Sequence, residues 1–428
     1  MQERLLQFIW KEKYFNRSAL RTETGETLEI LDSGELNTNQ GPDFLQARIF
    51  LDGTLWAGNI ELHVRSSYWH DHRHGSDPLY RNIILHVVWE NDDPALARLM
   101  PTLVLQDRVS NSMLERYASL MEAAARSGIA CRDLLDTVPP VLWQEWKELL
   151  LQQRLRRKAA LFRELWQEAG KDWEKACWWW MARHFGGTVN GAFFEKLARS
   201  IEWKWLLKHR GHPEQLEAFL LGQAGLLPEA SADPYVQLLK REYAFLLNKY
   251  QLPVVHGVAQ KLRMRPAAFP ELRLAQLAVL VKERPKLYAS LIGCEQWQEA
   301  ERLLDITAGD FWHYHYQLDN AAAYHPKRVG TDMCRQLIIN AICPLLYATG
   351  QHLQQPAFQL RALSWLSSLP PEKNTLTDEW LRLGVAVSRA GDSQALVELK
   401  RNYCLPRRCL ECRVGHFLLE KGRGAAPG

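Results

Sequence analysis

The chain has 428 residues, 47% of them hydrophobic and 24% charged, with 17 tryptophans and a formal net charge of +4. That length exceeds one ordinary core and predicts two or three domains of a soluble globular protein. No run approaches the roughly 18 apolar residues of a membrane span, the opening QERLLQFIWKEKYF lacks a signal-peptide pattern, and eight cysteines in so long a chain are not a secreted disulfide framework, so a cytoplasmic location away from any membrane is expected.

In chain order, residues 2–15 predict an amphipathic helix with Leu5, Phe8, Ile9 and Trp10 on its apolar side. Strand-like runs follow at 27–32, 44–51, 55–64, 83–89 and 102–106, split by Gly, Asp and Asn clusters. Asp52-Gly53, between the second and third, is a hairpin signal. After the third run, SSYWHDHRHGSDPLYRN reads as a loop with one or two short helical turns. The order helix, three strands, short helix, strand, strand predicts a compact α/β unit over residues 1–110. From 111 to 428 strand signals nearly vanish. Helical spacing covers 141–168, 172–185, 191–205, 213–226, 234–249, 271–281, 298–306, 333–349, 356–368 and 376–390, punctuated by Gly186-Gly187 and Pro270. An all-helical domain without a fixed-period repeat is expected, ending in KGRGAAPG as a disordered tail. The class is α+β.

Charge divides unevenly between these parts. Residues 1–110 hold 11 Lys+Arg against 16 Asp+Glu (net −5), and the remainder 42 against 33 (net +9). An acidic unit followed by a basic one suits a metal pocket flanked by a polyanion-binding surface. Solvated helix faces drift by this much as well.

Strand alternation puts Asn59, Glu61, His63 and Arg65 on one face and Ile60, Leu62 and Val64 on the other. With Asp43 at the mouth of the preceding strand, two carboxylates and a basic group converge on one sheet edge. That arrangement suits a hard dication, Mg²⁺ or Mn²⁺. His70, His72 and His74, with Asp77 and Tyr80, form a polar run directly afterwards. Alternate imidazoles there could hold Zn²⁺ or Mn²⁺, line the pocket as general bases, or belong to a plain surface loop. His86, in the middle of IILHVVW, either faces the same pocket or is a hydrogen-bonded core histidine.

Cys404, Cys409 and Cys412 lie in NYCLPRRCLECRVGH, with His416 four residues beyond. Three close thiols and an imidazole fit a tetrahedral Zn²⁺ site. An iron–sulfur cluster competes, with a fourth cysteine such as Cys334 or Cys343, and so do unligated thiols. Arg154, Arg157 and Lys158 share a face of QQRLRRKAALFRELW and could track a phosphate backbone, or belong to a solvated helix paired with acids. Trp178-Trp179-Trp180 and the aromatic run 311–316 either stack bases or fill a helical core. No Walker loop, dinucleotide fingerprint, Gly-x-Ser-x-Gly elbow or kinase set occurs, which argues against nucleotide hydrolysis and serine hydrolase chemistry.

Pro42-Asp43 followed by Glu61-Leu62-His63, in this order of elements, resembles the PD-(D/E)xK nuclease-like superfamily. The resemblance implies an N-terminal PD-(D/E)xK-like α/β domain in which Asp43 and Glu61 bind Mg²⁺ and Glu3 joins them from the first helix. It implies a lysine where His63 stands. Histidine is often neutral at pH 7, and Arg65 is the cation available on the same face. Two functions follow: metal-dependent phosphodiester cleavage in nucleic acid, DNA ahead of RNA, or a catalytically decayed adaptor that binds nucleic acid or a protein. The full chain also resembles a bacterial family known as domain of unknown function twenty-eight fifty-one. The resemblance rests on GPDF at 41–44, the Glu61-Leu62-His63 strand, ILHVVWEND at 84–92, RMRPAAFPELRLAQLA at 263–278, IIN at 338–340 with Pro344, and the Cys404–Cys412 cluster.

Overall fold

The computed structural model describes residues 1–421 apart from Arg73, Gly75 and Ser76, so all but the first residue of KGRGAAPG lies outside the described residues. The chain forms two compact units, residues 1–143 with 400–428, and residues 144–399. The change of period near residue 110 thus marks a change of element type, while the division by packing falls later and draws the C-terminal segment into the first unit.

The first unit holds α1 (Glu3–Lys11), β1 (Leu28–Asp32), β2 (Glu35–Leu36), β3 (Phe44–Leu51), β4 (Thr54–Arg65), α2 (Tyr68–Asp71), β5 (Ile83–Glu90), β6 (Thr102–Val104) and α3 (Asn111–Ser127). The strand order is β1-β3-β4-β5-β6, with β2 beside β3. Pairs β1–β3 and β3–β4 are antiparallel, whereas β4–β5 and β5–β6 are parallel. Asp52 and Gly53 both take positive φ at the β3–β4 turn, as a tight hairpin demands. Helix α1 stops at Lys11, short of the expected residue 15, because Lys13 turns to a φ of +56°. Its Leu6 and Ile9 are buried with Phe44, Ile60 and Leu62 of the sheet in one apolar core. Central strand β5 is buried on both faces, the usual state of a parallel strand covered on each side. Cys409 and Leu419, from the far end of the chain, belong to this same core.

The second unit is mostly helical. Prolines open several of its helices (Pro213–Gln223, Pro234–Tyr250, Pro270–Glu283 and Pro356–Ser368), where a missing N–H costs nothing. Asp172 and Asp233 cap Trp173–Phe185 and Pro234–Tyr250 with their carboxylates. The expectation of an all-helical domain needs correction: His315–Gln317 and Asn320–Ala321 pair as a small antiparallel hairpin that starts at the end of the aromatic run. Trp178, Trp179, Trp180 and Trp312 are buried in the helical core and do not offer open stacking faces. No helix among the described residues is long and apolar enough to cross a membrane.

Candidate metal centre

The approach to β3 is set by Gly41, whose φ of +104° excludes most other residues. Asn37 fastens the turn: its N–H donates to the Asp43 carbonyl at 2.7 Å, its amide to the Pro42 carbonyl at 2.9 Å, and its Oδ1 accepts from the Asn39 N–H at 2.9 Å. Asp43 is thereby delivered to β4. The Asp43 N–H donates to Glu61 Oε2 at 3.0 Å, and the Leu62 N–H donates to Asp43 Oδ2 at 3.0 Å. From α1, the Gln7 amide donates to Asp43 Oδ1 at 2.8 Å. The two carboxyls interlock through backbone, as the sequence pattern suggested. Gly58 lets β4 close on the chain before β5, since a Cβ there would lie 2.5 Å from Ile84 and 2.7 Å from the Asn82 carbonyl.

Glu61 and His63 share the face opposite Ile60 and Leu62, yet both are buried, at 5% and 1% exposure. The segment after β4 covers them. Trp69 packs near His63, His74 and His86, and Tyr80 stacks on His74 with ring centres 3.8 Å apart. That segment is pinned by the loop after β5: Ser66 Oγ donates toward Asn91 and Asp92, and the Ser67 N–H donates to Asp92 at 2.9 Å. The Asn91-Asp92-Asp93 tripeptide is thus a clamp for the histidine segment, a role that composition alone does not show.

His63, His72 and His74 bring their ligating nitrogens within 4.8 Å of one another. His63 Nε2 is 3.3 Å from His72 Nδ1 and 3.6 Å from Glu61 Oε1, and His74 Nε2 is 3.4 Å from the same Glu61 oxygen. Zinc–nitrogen bonds of about 2.0–2.1 Å place neighbouring tetrahedral ligands roughly 3.3–3.4 Å apart, a spacing that the His63–His72 pair matches, so the three imidazoles suit a dication. Behind it, His63 Nδ1 is 2.9 Å from Nε2 of fully buried His86.

The electrostatics are lopsided. Burial, then the Asp43 charge, pushes the Glu61 carboxyl up to about 9, and burial raises Asp43 to about 6. Burial, then its neighbouring imidazoles, pushes His63 down to about 2, and burial holds His86 at about 3. Neutral imidazoles beside a carboxyl that resists ionising form a site short of one positive charge.

The remaining candidates fall elsewhere. His70 is exposed and meets Asp93 at 3.1 Å, so His63 takes the place expected for it beside His72 and His74. Asp77 accepts from the Leu79 N–H and caps the turn Pro78–Tyr80. Arg65 is 54% exposed in its side chain and pairs with Glu90 at 3.6 Å, matching their neighbouring positions on β4 and β5. Glu3 accepts from the Gln7 amide at 3.5 Å, and its charge reaches both Asp43 and Glu61. Gln7, the ligand of Asp43, carried no sequence signal beyond its place one turn after Glu3.

Arg154 is buried while Arg157 stays exposed, and both converge on Glu398; Lys158 donates to the Asn340 carbonyl and side chain at 3.1 and 2.8 Å. His416 packs edge-on to Phe8 and Tyr14, with Glu12 and Glu420 at 3.9 and 3.7 Å. Cys334 and Cys343 lie in the second unit, where Cys334 donates weakly to the Leu304 and Val329 carbonyls.

Fold and site together define a mixed α+β protein with a buried carboxyl–imidazole centre on the middle strands of its sheet. The chain belongs to the family described as "Protein of unknown function (DUF2851)", whose model matches residues 3–375. The cysteines from 404 onward lie beyond that match. No curated protein and no solved structure matches the chain.

Proposed function

We propose that the first unit is a PD-(D/E)xK-type nuclease domain that cleaves phosphodiester bonds in nucleic acid with a dication held by Glu61, His63, His72 and His74. What supports this is the convergence of three imidazoles, two of them at Glu61 Oε1, beside Asp43, on a sheet whose antiparallel hairpin runs into parallel strands with α1 alongside. Mn²⁺ or Zn²⁺ suits the nitrogen-rich donor set better than Mg²⁺, which prefers oxygen. Both Asp43 oxygens are already engaged, so Asp43 orients β4 rather than offering an open ligand position. A bound dication supplies an activated water at neutral pH and offsets phosphate charge. Holding it through His63 Nε2 requires the tautomer in which Nδ1 donates to His86, which fixes the ring.

The test is incubation of the full chain with single- and double-stranded DNA and RNA oligonucleotides in Mg²⁺, Mn²⁺ or Zn²⁺. Cleavage is expected with Mn²⁺ or Zn²⁺, falling at least about 100-fold in Glu61→Gln and His63→Ala. Cleavage that persists in both variants belongs to a contaminant.

One observation favours the adaptor instead: no cation stands at position 63, and Arg65 is turned to Glu90. Nucleic-acid binding without cleavage in any metal, with cleavage emerging in His63→Lys, would assign that function.

A further inference from the structure

We infer that the helical unit carries an anion-binding cavity, lined by Arg284, Ser290, Gly293, Glu299 and Arg302, that takes a small molecule bearing a phosphate monoester. A cavity of about 560 Å³ opens among the end of helix Pro270–Glu283, helix Leu287–Gly293 and helix Trp297–Leu304. Pockets for small organic ligands span about 300–1,000 Å³, so there is room for a phosphoryl group and the body that carries it. A Cβ on Gly293 would meet nothing within 4 Å, so the wall stands clear there. That wall is fixed at both ends. The Tyr288 and Ala289 N–H groups donate to the two Glu174 carboxylate oxygens at 2.8 and 3.1 Å. Arg361 Nη1 donates to the Ile292 and Cys294 carbonyls at 2.8 and 3.1 Å.

The arginines of this region are of two kinds. Arg361 meets Glu295 at 2.7 Å, and Arg335 meets Glu301 at 3.0 Å. Arg302 is exposed and makes no side-chain hydrogen bond or ion pair among the described residues. Arg284 donates only to the adjacent Glu283 carbonyl, at 3.3 Å, with that residue's carboxylate at 3.6 Å. Its Nε is shielded from solvent and has no hydrogen-bond partner among the described residues. A guanidinium has five N–H donors, and shielded ones left unmatched cost free energy. Glu299 is the one acid lining the cavity among the described residues, and its Oε2 already accepts the Glu295 N–H at 2.8 Å. Two guanidiniums against one carboxylate leave the cavity positive. Guanidinium forks match phosphate oxygens with paired N–H···O bonds, and two forks engage the three terminal oxygens of a monoester more fully than the two of a carboxylate. Ser290 Oγ donates to the Lys286 carbonyl at 2.7 Å and keeps lone pairs for hydroxyls on the ligand's body. Thiol chemistry does not compete: Cys294 Sγ donates to the Ser290 carbonyl at 3.3 Å, and burial pushes the thiol up to about 11. All of these residues belong to the second unit, so the cavity stands or falls apart from the metal centre.

The test is calorimetric titration of the full chain with inorganic phosphate, glucose 6-phosphate, glucose and malate at about 0.15 M salt. Glucose 6-phosphate is expected to bind with a Kd below about 1 mM, at least about 10-fold tighter than malate, with inorganic phosphate weaker and glucose silent. Arg284→Gln and Arg302→Gln should each weaken glucose 6-phosphate at least about 10-fold. Gly293→Leu should do the same by filling the cavity, whereas Arg382→Gln, at an exposed arginine of the same unit, should change nothing. Arg302 and Gly293 are exposed, so their variants keep the fold even should Arg284→Gln lose it. Undiminished binding in Arg302→Gln and Gly293→Leu overturns the cavity, as does the failure of both phosphates to bind below about 10 mM. Malate binding as tightly as glucose 6-phosphate overturns the phosphate class.

Discussion

The two units bury charge in opposite ways. In the helical unit, buried acids meet donors. Glu398 receives Arg154 and Arg157, Asp392 receives Lys147 at 3.0 Å, and Glu217 Oε2 accepts from Trp312 Nε1 at 2.7 Å and the Tyr235 hydroxyl at 2.9 Å. In the sheet unit, Asp43 and Glu61 lie side by side among neutral imidazoles, and among the described residues the ring nitrogens His74 Nε2 and His86 Nδ1 have no hydrogen-bond partner. Buried polar groups cost free energy unless paired. A network completed from within serves packing. One completed only by an added cation marks a site.

Removing a partner from the completed network should have the largest effect. Glu398→Ala leaves the Arg154 guanidinium buried at 5% exposure and is expected to destabilise the helical unit by about 3–5 kcal/mol in chemical denaturation. A loss below about 1 kcal/mol would mean that the two units do not differ as described.

A titration sharpens the contrast next. Burial raises the Glu217 carboxyl from its ordinary 4.5 to about 7. Its folded value lies above its unfolded one, so the stabilisation from holding the proton is complete below pH 4.5 and disappears as pH climbs through 7. The helical unit should lose up to about 3 kcal/mol across that window. Glu217→Gln keeps an oxygen for Trp312 and Tyr235 and should flatten the profile; an unaltered slope would assign the loss to other groups.

The smallest effect has the opposite sign. Glu61→Gln removes a buried carboxyl that no lysine or arginine among the described residues faces, and the metal-free protein should become about 1–2 kcal/mol more stable. The same variant should forfeit the roughly 3 kcal/mol that a dication at 100 times its dissociation constant gives the parent. Thermal shifts with and without Mn²⁺ or Zn²⁺ read both terms. A destabilised variant would place Glu61 with Glu398, as a member of a completed network.

Strands 44–51, 54–65 and 83–90 were legible because their alternation or continuous apolar character reports which faces are covered. The meeting of Asp43 with Glu61 followed from the hairpin between them. Which histidines gather did not, since alternation along 70–74 predicts one side for all three, whereas the short helix α2 rotates His70 outward to Asp93. The basic stripe at 154–158 looked solvent-facing because its partners, Asn340, Gln394 and Glu398, come from remote helices. Helix Ala390–Leu399 went unseen for a related reason: every residue in it is buried, so it shows no polar face to set a period.

The sheet unit is assembled from both flanks of the helical one, and this sets a timetable for synthesis. Residues 144–399 leave the ribosome between the strands and the segment that carries Cys409 and Leu419. At about 5–20 residues per second, the sheet waits on the order of tens of seconds for its last core residues. During that interval the helical insert can fold by itself, while the apolar side of α3 stays open to chaperones.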